Sequence, residues 1–184
     1  MITSYTCNDS SGNPVTVGNH PYFTYTGQCE VIDDGDGNWR IRFLTDGDFE
    51  SNLNIPIDAF LVGGGGGYTT TQKNSSVIAN TQYVITVGAG GESDTNGADS
   101  SAFNIIATGG IAGTIKGGSG GSGGGTGGSN GGSDGSAGFG NDAGTGQGTT
   151  TREFGQSSAI LYSGGGGAHG KSGGSGIVVI RNKR

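Results

Sequence analysis

Charge, sulfur and proline are all scarce in this chain. Charged residues make up 13% and hydrophobic residues 30% of its 184 positions, both below the ordinary globular share. With three prolines and no strict three-residue glycine period it is not collagen. Nine Lys and Arg stand against 15 Asp and Glu, for a net charge of −6. That balance lacks the basic face a nucleic-acid binder needs. No apolar run is long enough to span a membrane, so membrane insertion is not expected. The start, "MITSYTCNDSSG", lacks the basic, apolar, small-residue order of a signal peptide, and the expectation is synthesis in a cytoplasm. Two cysteines, Cys7 and Cys29, are too few for a disulfide framework. They could close one bridge or remain thiols; both readings stand. No His or Cys cluster has zinc-ligand spacing, so neither a metal nor a cofactor is expected.

What is abundant is glycine, 44 residues. Its distribution divides the chain into four regions. Residues 1–38 read as an N-terminal β or attachment segment, 39–115 as β-sandwich strands with glycine turns, 116–176 as a glycine-rich unit, and 177–184 as a closing strand. In the first two regions "PYFTYTG" and "NWRIRFLT" carry the aromatic and β-branched residues of strands, with the turn cluster "DDGDGN" between them. Trp39, Ile41 and Phe43 alternate with Arg40 and Arg42, the pattern of a half-buried strand. "GDFES" and "IDAFLV" read as a short and a buried strand. "QYVITV" places Tyr83, Ile85 and Val87 on one face, and "SAFNIIATGG" reads as one further strand with Phe103 and Ile105 on one face. No stretch shows capped helical periodicity. The terminal "GIVVIRNKR" can only be a sheet member, so the glycine-rich unit is bracketed by the sheet at both ends.

Between residues 117 and 176 the large apolar side chains are Phe139, Phe154, Ile160, Leu161 and Tyr162. These are too few to order so much backbone. Either the segment is a linker, or its backbone supplies the cohesion. A glycine chain can form an extended left-handed helix of the polyproline II type, with three residues per turn. Its peptide groups are then free to bond to neighbours, and helices without Cβ atoms can pack backbone to backbone.

Several motifs imitate chemistry. Gly165, Gly170, Lys171 and Ser172 satisfy the P-loop spacing, but glycine and then a strand follow where a helix is needed, so the match reflects composition. Asp34, Asp36 and Asn38 resemble the start of a calcium loop. Trp39 and Thr45 stand where that loop needs Gly and Glu, and a hairpin turn is the better reading. His20 and His169 have no nucleophile or carboxylate at useful spacing, and catalysis is not expected. What remains are large or charged side chains isolated in glycine, among them Tyr68, Arg152, Glu153, Phe154, His169 and Lys171. Aromatic and Arg side chains on rigid loops make good binding anchors. For Phe154 packing on the sheet is an equal reading; for Ile160 and Leu161 packing is preferred.

"WRIRFLTDGDF", "IDAFLVGGGGG", "YVITVGAGG", "FNIIATGG" and "GGSGIVVIRN" occur in that order. Together they resemble a glycine-rich domain of bacteriophage tail-tip and prophage proteins, over roughly residues 39 to 182. "GTGQGTTTREFG" and "LYSGGGG" resemble parts of its glycine tract. Two similar families are the adhesin at the tip of T-even-like long tail fibres and the glycine-rich extracellular domain of anaplastic lymphoma kinase. The resemblance implies an all-β fold, a jelly-roll-like β-sandwich with a bundle of polyglycine II helices and essentially no α-helix. It also implies a virion protein that assembles in the host cytoplasm beside other tail or fibre proteins. Such a protein would bind a bacterial surface receptor through Tyr68, Arg152, Glu153, Phe154, His169 and Lys171. A structural virion or fibre decoration protein is the alternative, and a homo-oligomer is compatible with either. Residues 1–38 match neither relative. An ice-binding surface would need regular Thr rows, and "YTTTQ" and "GTTTRE" do not repeat.

Overall fold

The computed structural model describes residues 4–8, 14–18, 23–92, 95–112, 152–156, 160, 162 and 172–182. Among them the protein is all-β, and the regular elements are eleven strands and one 3-10 turn. The first strands are β1 (Ser4–Asn8), β2 (Pro14–Gly18), β3 (Phe23–Gly35), β4 (Asn38–Phe43) and β5 (Gly47–Ser51). They are followed by β6 (Ile55–Val62), β7 (Thr69–Val77), β8 (Thr81–Ile85), β9 (Ser100–Ala102), β10 (Ile105–Ala107) and β11 (Ile177–Asn182).

Nine strands form one curled sheet in the order β2-β1-β3-β4-β11-β6-β7, with β5 joined to β3 and β8 to β5. The curl originates in β3. Its first part pairs with β5, Tyr25 opposite Phe49, and its second part with β4, Cys29 opposite Phe43. Between them sits Gly27, where a Cβ would stand 2.4 Å from the Asp46 carbonyl oxygen. A side chain there would hold the two halves apart. Residues 23–38 are therefore part of the same sheet as 39–62, and the 38/39 division falls inside the β3–β4 hairpin.

The concave face encloses the main core. Phe23, Tyr25 and Phe49 from one half meet Trp39, Ile41, Phe43, Ile57, Leu61, Val178 and Ile180 from the other. Phe43 lies edge-on to both Tyr25 and Phe49, with ring centroids 4.7 and 5.5 Å apart, a favourable aromatic geometry. The closing strand takes the most buried place available. β11 lies between β4 and β6, antiparallel to both, with Val179 opposite Arg42 on one side and Phe60 on the other. All of "IVVI" is buried, which is why it reads as a continuous apolar run rather than an alternation.

Two readings of short segments are corrected. "SAFNIIATGG" is not one strand but the hairpin β9–β10, with Ser101 opposite Ile106. Its two turn residues, Phe103 and Asn104, both have positive φ, 51° and 63°. Asn tolerates that conformation; Phe does so only where packing fixes it. Here the Phe103 ring is 5.0 Å from Tyr83 and 5.9 Å from Phe49. Ile160, expected on the sheet, is 53% exposed.

The glycines of the 63–110 region are not merely turns. Five short segments converge: 63–67, 88–91, 96–98, 108–110 and 173–176. They are joined through the backbone. Gly64 N–H donates to Ala98 O, Ala98 to Ala89, Gly97 to Gly110 and Gly110 back to Gly64, all at 2.9 Å. Gly65 donates to Gly174 at 2.8 Å, Gly173 to Gly91 at 2.9 Å and Gly176 to Gly88 at 2.8 Å. There is no room for side chains between these segments. A Cβ on Gly64, Gly97 or Gly109 would fall 2.0–2.1 Å from a carbonyl oxygen of a neighbouring segment. Of the expected unit at 116–176, residues 116–151, 157–159, 161 and 163–171 lie outside the described residues, Phe139 and Leu161 among them.

Alanine at Gly64 or Gly109 is expected to lower stability by about 1–3 kcal/mol or more through overpacking. Thermal unfolding checks this; unchanged melting of both variants would show that the segments are not closely packed.

Candidate functional site

The strand β4 carries Trp39, Ile41 and Phe43 into the core, so Arg40 and Arg42 must point to the convex face. Arg181 on β11 is the cross-strand partner of Arg40. Three guanidinium groups on one patch repel one another unless anions intervene. Four carboxylates do so, and one comes from far along the chain.

That one is Glu153, in the single-turn 3-10 element Glu153–Gly155, and it is fully buried. Arg40 Nη1 donates to its Oε2 at 2.6 Å, and Arg42 Nε to its Oε1 at 2.6 Å. The Tyr162 hydroxyl donates to Oε1 as well. Asp34 accepts from Arg40 at 2.9 Å, and Glu30 from Arg42 at 3.0 Å. Arg181 is bound by Asp58 at 3.1 Å, and the same carboxylate accepts the Asn74 N–H where β7 bulges. Burial works against the charge of Arg42, but the hydrogen bond and negative charge of Glu153 outweigh it and hold its pKa above the ordinary value. Burial, then the hydrogen bond to Glu153 and its charge, pushes the Tyr162 phenol well above its usual pKa.

Phe154 completes the patch. Its φ is +54°, an unfavourable conformation for an aromatic residue. This turns the ring under Arg181, whose Cζ lies 4.1 Å from the ring centroid. The other side of the ring approaches Phe60 at 6.0 Å. Phe154 and Tyr162 thus cover a second, smaller core of Phe60, Val62, Ile177 and Val179.

The six residues expected to meet a receptor therefore separate. Glu153 is unavailable to a partner, because its carboxylate is buried and engaged by two arginines and a tyrosine. Phe154 is spent mainly on internal packing, one of its two expected readings. Arg152 is half-buried at the start of the same turn. Tyr68 is elsewhere, closing the glycine loop 63–67: its carbonyl accepts from Gly63 N–H at 3.0 Å and its N–H donates to Thr108 O at 2.9 Å. Its side chain is half-buried. His169 and Lys171 lie outside the described residues. So does the P-loop-like stretch, apart from Ser172.

Sequence reasoning missed Arg40, Arg42, Arg181 and Asp58 as one cluster. A usable signal existed: two arginines on one strand face need a counter-ion. What the sequence could not indicate was which carboxylate, more than a hundred residues away, supplies it.

Elsewhere Cys29 is disulfide-bonded; Cys7, the chain's only other cysteine, is on β1, which runs parallel to β3. The acidic turn "DDGDGN" is a hairpin. Asp33 accepts the Gly35 N–H at 2.8 Å, Asp34 is held by Arg40, and Gly35, Asp36 and Gly37 have positive φ. Among the described residues no group of three or more His, Cys, Asp or Glu side chains is placed to hold a metal ion. No protein-family model, curated protein or solved structure matches the chain.

Removing the Glu153 charge would leave two largely buried guanidinium groups with only Asp34 and Glu30 to balance them. Glu153→Gln is expected to cost about 3–5 kcal/mol, the range for breaking a buried ion pair from one side. Denaturant titration checks this; a loss no larger than a surface mutation's would mean the cluster is solvated. The tyrosine gives a second expectation. Its folded-state pKa lies above the ordinary value of 10.0. The associated stability is thus fully present below pH 10 and is lost as pH rises above it. Tyr162→Phe should weaken that alkaline loss but not remove it, since burial also raises Tyr25, followed by the charges of Asp46 and Asp48. Identical alkaline slopes for both proteins would refute the assignment.

Proposed function

We propose that the chain is a non-enzymatic bacteriophage tail-tip or fibre adhesin. In this reading the jelly-roll-like β unit supports a bundle of polyglycine II helices, and loops between the glycine segments contact a bacterial surface receptor. The supporting observation is the glycine cluster. Segments from five places in the chain meet through peptide groups, with carbonyl oxygens 2.0–2.1 Å from where Cβ atoms of Gly64, Gly97 and Gly109 would be. A backbone held in that way gives loops little freedom to lose on binding, which favours affinity. Receptor contact then belongs to Tyr68, Arg152, His169 and Lys171, with Glu153 and Phe154 fastening the loop that carries Arg152.

A virion decoration protein without a receptor is the second reading. What favours it is that two residues of the expected binding set are engaged by the sheet itself.

Labelled full-length protein applied to a panel of bacterial strains separates the two. Strain-restricted coating, competing with adsorption of a phage of matching host range, is the adhesin outcome. Coating of no strain, or equal coating of all, sinks it. The scaffold is tested apart from the receptor by amide hydrogen exchange. Amides of Gly64, Gly97, Ala98, Gly110 and Gly176 should exchange far more slowly than random coil.

A further inference from the structure

One end of the sheet is the incompletely paired strand β8. β8 pairs with β5 along one edge. On its other edge, the pairing among the described residues is the bridge between Thr86 and Ser101, with N–H···O distances of 2.8 and 2.9 Å. Beyond that bridge β9 leaves β8 and turns back into β10. The peptide groups of an antiparallel strand alternate in direction. Those of Val84 and Gln82 therefore face the same side as Thr86, into a cleft of about 530 Å³ between β8 and the β9–β10 hairpin. The Val87 N–H, bonded to Asp46 on the β5 side at 2.7 Å, fits the same alternation.

The cleft is lined by Gln82, Tyr83, Val84, Phe103, Ile105 and Ile106, among others. Val84 is 68% and Ile106 59% exposed, although both are apolar. Its aromatic wall is fixed, because Tyr83 and Phe103 contact each other and the Tyr83 hydroxyl accepts the Ile78 N–H at 2.9 Å. The cleft lining itself carries no charge, but on the next strand, β5, the charge opposite it is negative. Asp48 and Glu50 on β5 are the cross-strand partners of Val84 and Gln82. Among the described residues, neither makes a salt bridge, whereas Arg40, Arg42 and Arg181 are all paired on the convex face.

We propose that this cleft binds an extended peptide strand bearing basic side chains, added to the edge of β8. The peptide groups of Gln82 and Val84 supply main-chain hydrogen bonds, as in other strand-addition sites. Alternate side chains of the guest point to opposite faces. Those on one face meet Tyr83 and Phe103. Those on the other pass over Gln82 and Val84; Asp48 and Glu50 lie one strand further, about 10 Å from the guest backbone at the ordinary strand spacing, within reach of long Lys or Arg side chains, which are selected. The proposal is independent of the adhesin reading; in a virion the guest would be a basic segment of a neighbouring protein.

The test uses the full-length chain and a fluorescein-labelled octapeptide of alternating Lys and Ile, followed by fluorescence anisotropy. Saturable binding is expected, weakening with salt. A peptide with Glu in place of Lys, and one N-methylated at alternate amides on its bonding edge, should each bind at least about tenfold more weakly. Val84→Pro removes an N–H that faces the cleft and not β5, so it should leave the fold intact and weaken binding by a similar factor. Equal affinity for the basic and acidic peptides, or for the methylated and unmethylated ones, overturns the proposal, and the methylated peptide decides the matter if Val84→Pro fails to fold. Concentration-dependent self-association abolished by Val84→Pro, with no peptide binding, also overturns it and assigns the edge to a second copy of the chain.

Discussion

Peptide groups in direct contact, with no side chains between them, are the constraint from which the arrangement of this protein follows. In an ordinary β protein the loops at a sheet's end are held by side chains that dip back into the core. Here the loops after β6, β8 and β10 and before β11 meet at short glycine-rich segments, and those segments are held by one another. Gly64 bonds to Ala98 and accepts from Gly110, while Gly65 reaches Gly174 and Gly88 accepts from Gly176. Because residues 173–176 belong to this cluster, the strand they lead into, β11, enters the sheet between β4 and β6 in a fixed register. The last strand of the chain is thus located both by its apolar side chains and by the glycines that precede it. The close approach explains why glycine, and not merely a small residue, occupies these positions: even alanine at Gly64 would meet the Ala89 carbonyl at 2.0 Å.

A strand buried on both faces creates a second requirement. Val178 and Ile180 face the main core, and Ile177 and Val179 face outward with Phe60 and Val62. An outward apolar strip needs a cover, and the turn at 152–156 provides it with Phe154, joined by Tyr162. Beside that strip, on β4 and at the end of β11, are the arginines that the alternation of those strands directs outward. The cover must therefore carry an anion, and Glu153 is that anion. Buried ion pairs contribute little net stability compared with apolar packing of the same volume. Their consequence here is positional: a carboxylate that must satisfy Arg40, Arg42 and Tyr162 at once allows the turn one placement on the sheet.

Much of this was legible in the sequence where local pattern and tertiary role agree. The alternation in "NWRIRF", the turn in "DDGDGN" and the unbroken apolar run in "GIVVIRN" each specify one kind of strand, and those strands are present. The β9–β10 hairpin was not legible because its turn carries Phe103, a residue that ordinarily signals a strand interior. Its positive φ is imposed by contacts with Tyr83 and Phe49, which lie far away in sequence. The glycine cluster escaped for another reason. Glycines in "GGGGG", "GAGG" and "ATGG" look the same whether they end strands separately or meet in space. Only the close approach of their backbones distinguishes the two. For the site, the isolated charges in the glycine tract stood out correctly as unusual, but isolation in sequence does not mean exposure. Glu153 is isolated because it leaves the glycine tract to reach the sheet.

The distribution of charge follows from the same architecture. On the convex face, the cations of β4 and β11 are matched by Glu30, Asp34, Asp58 and Glu153 and give little field beyond the surface. On the β5–β8 side, Asp46, Asp48 and Glu50 have no salt-bridge partner among the described residues. The negative charge is thus set one strand in from the edge of β8, which the described residues leave largely unpaired. An unpaired edge with apolar neighbours invites indiscriminate strand addition, and charges along an edge are a common safeguard. Charges of one sign repel like-charged strands and another copy of the same edge, but they also attract strands of opposite sign. The physics that protects this edge from self-association therefore makes it selective, and the selection is for basic, extended partners.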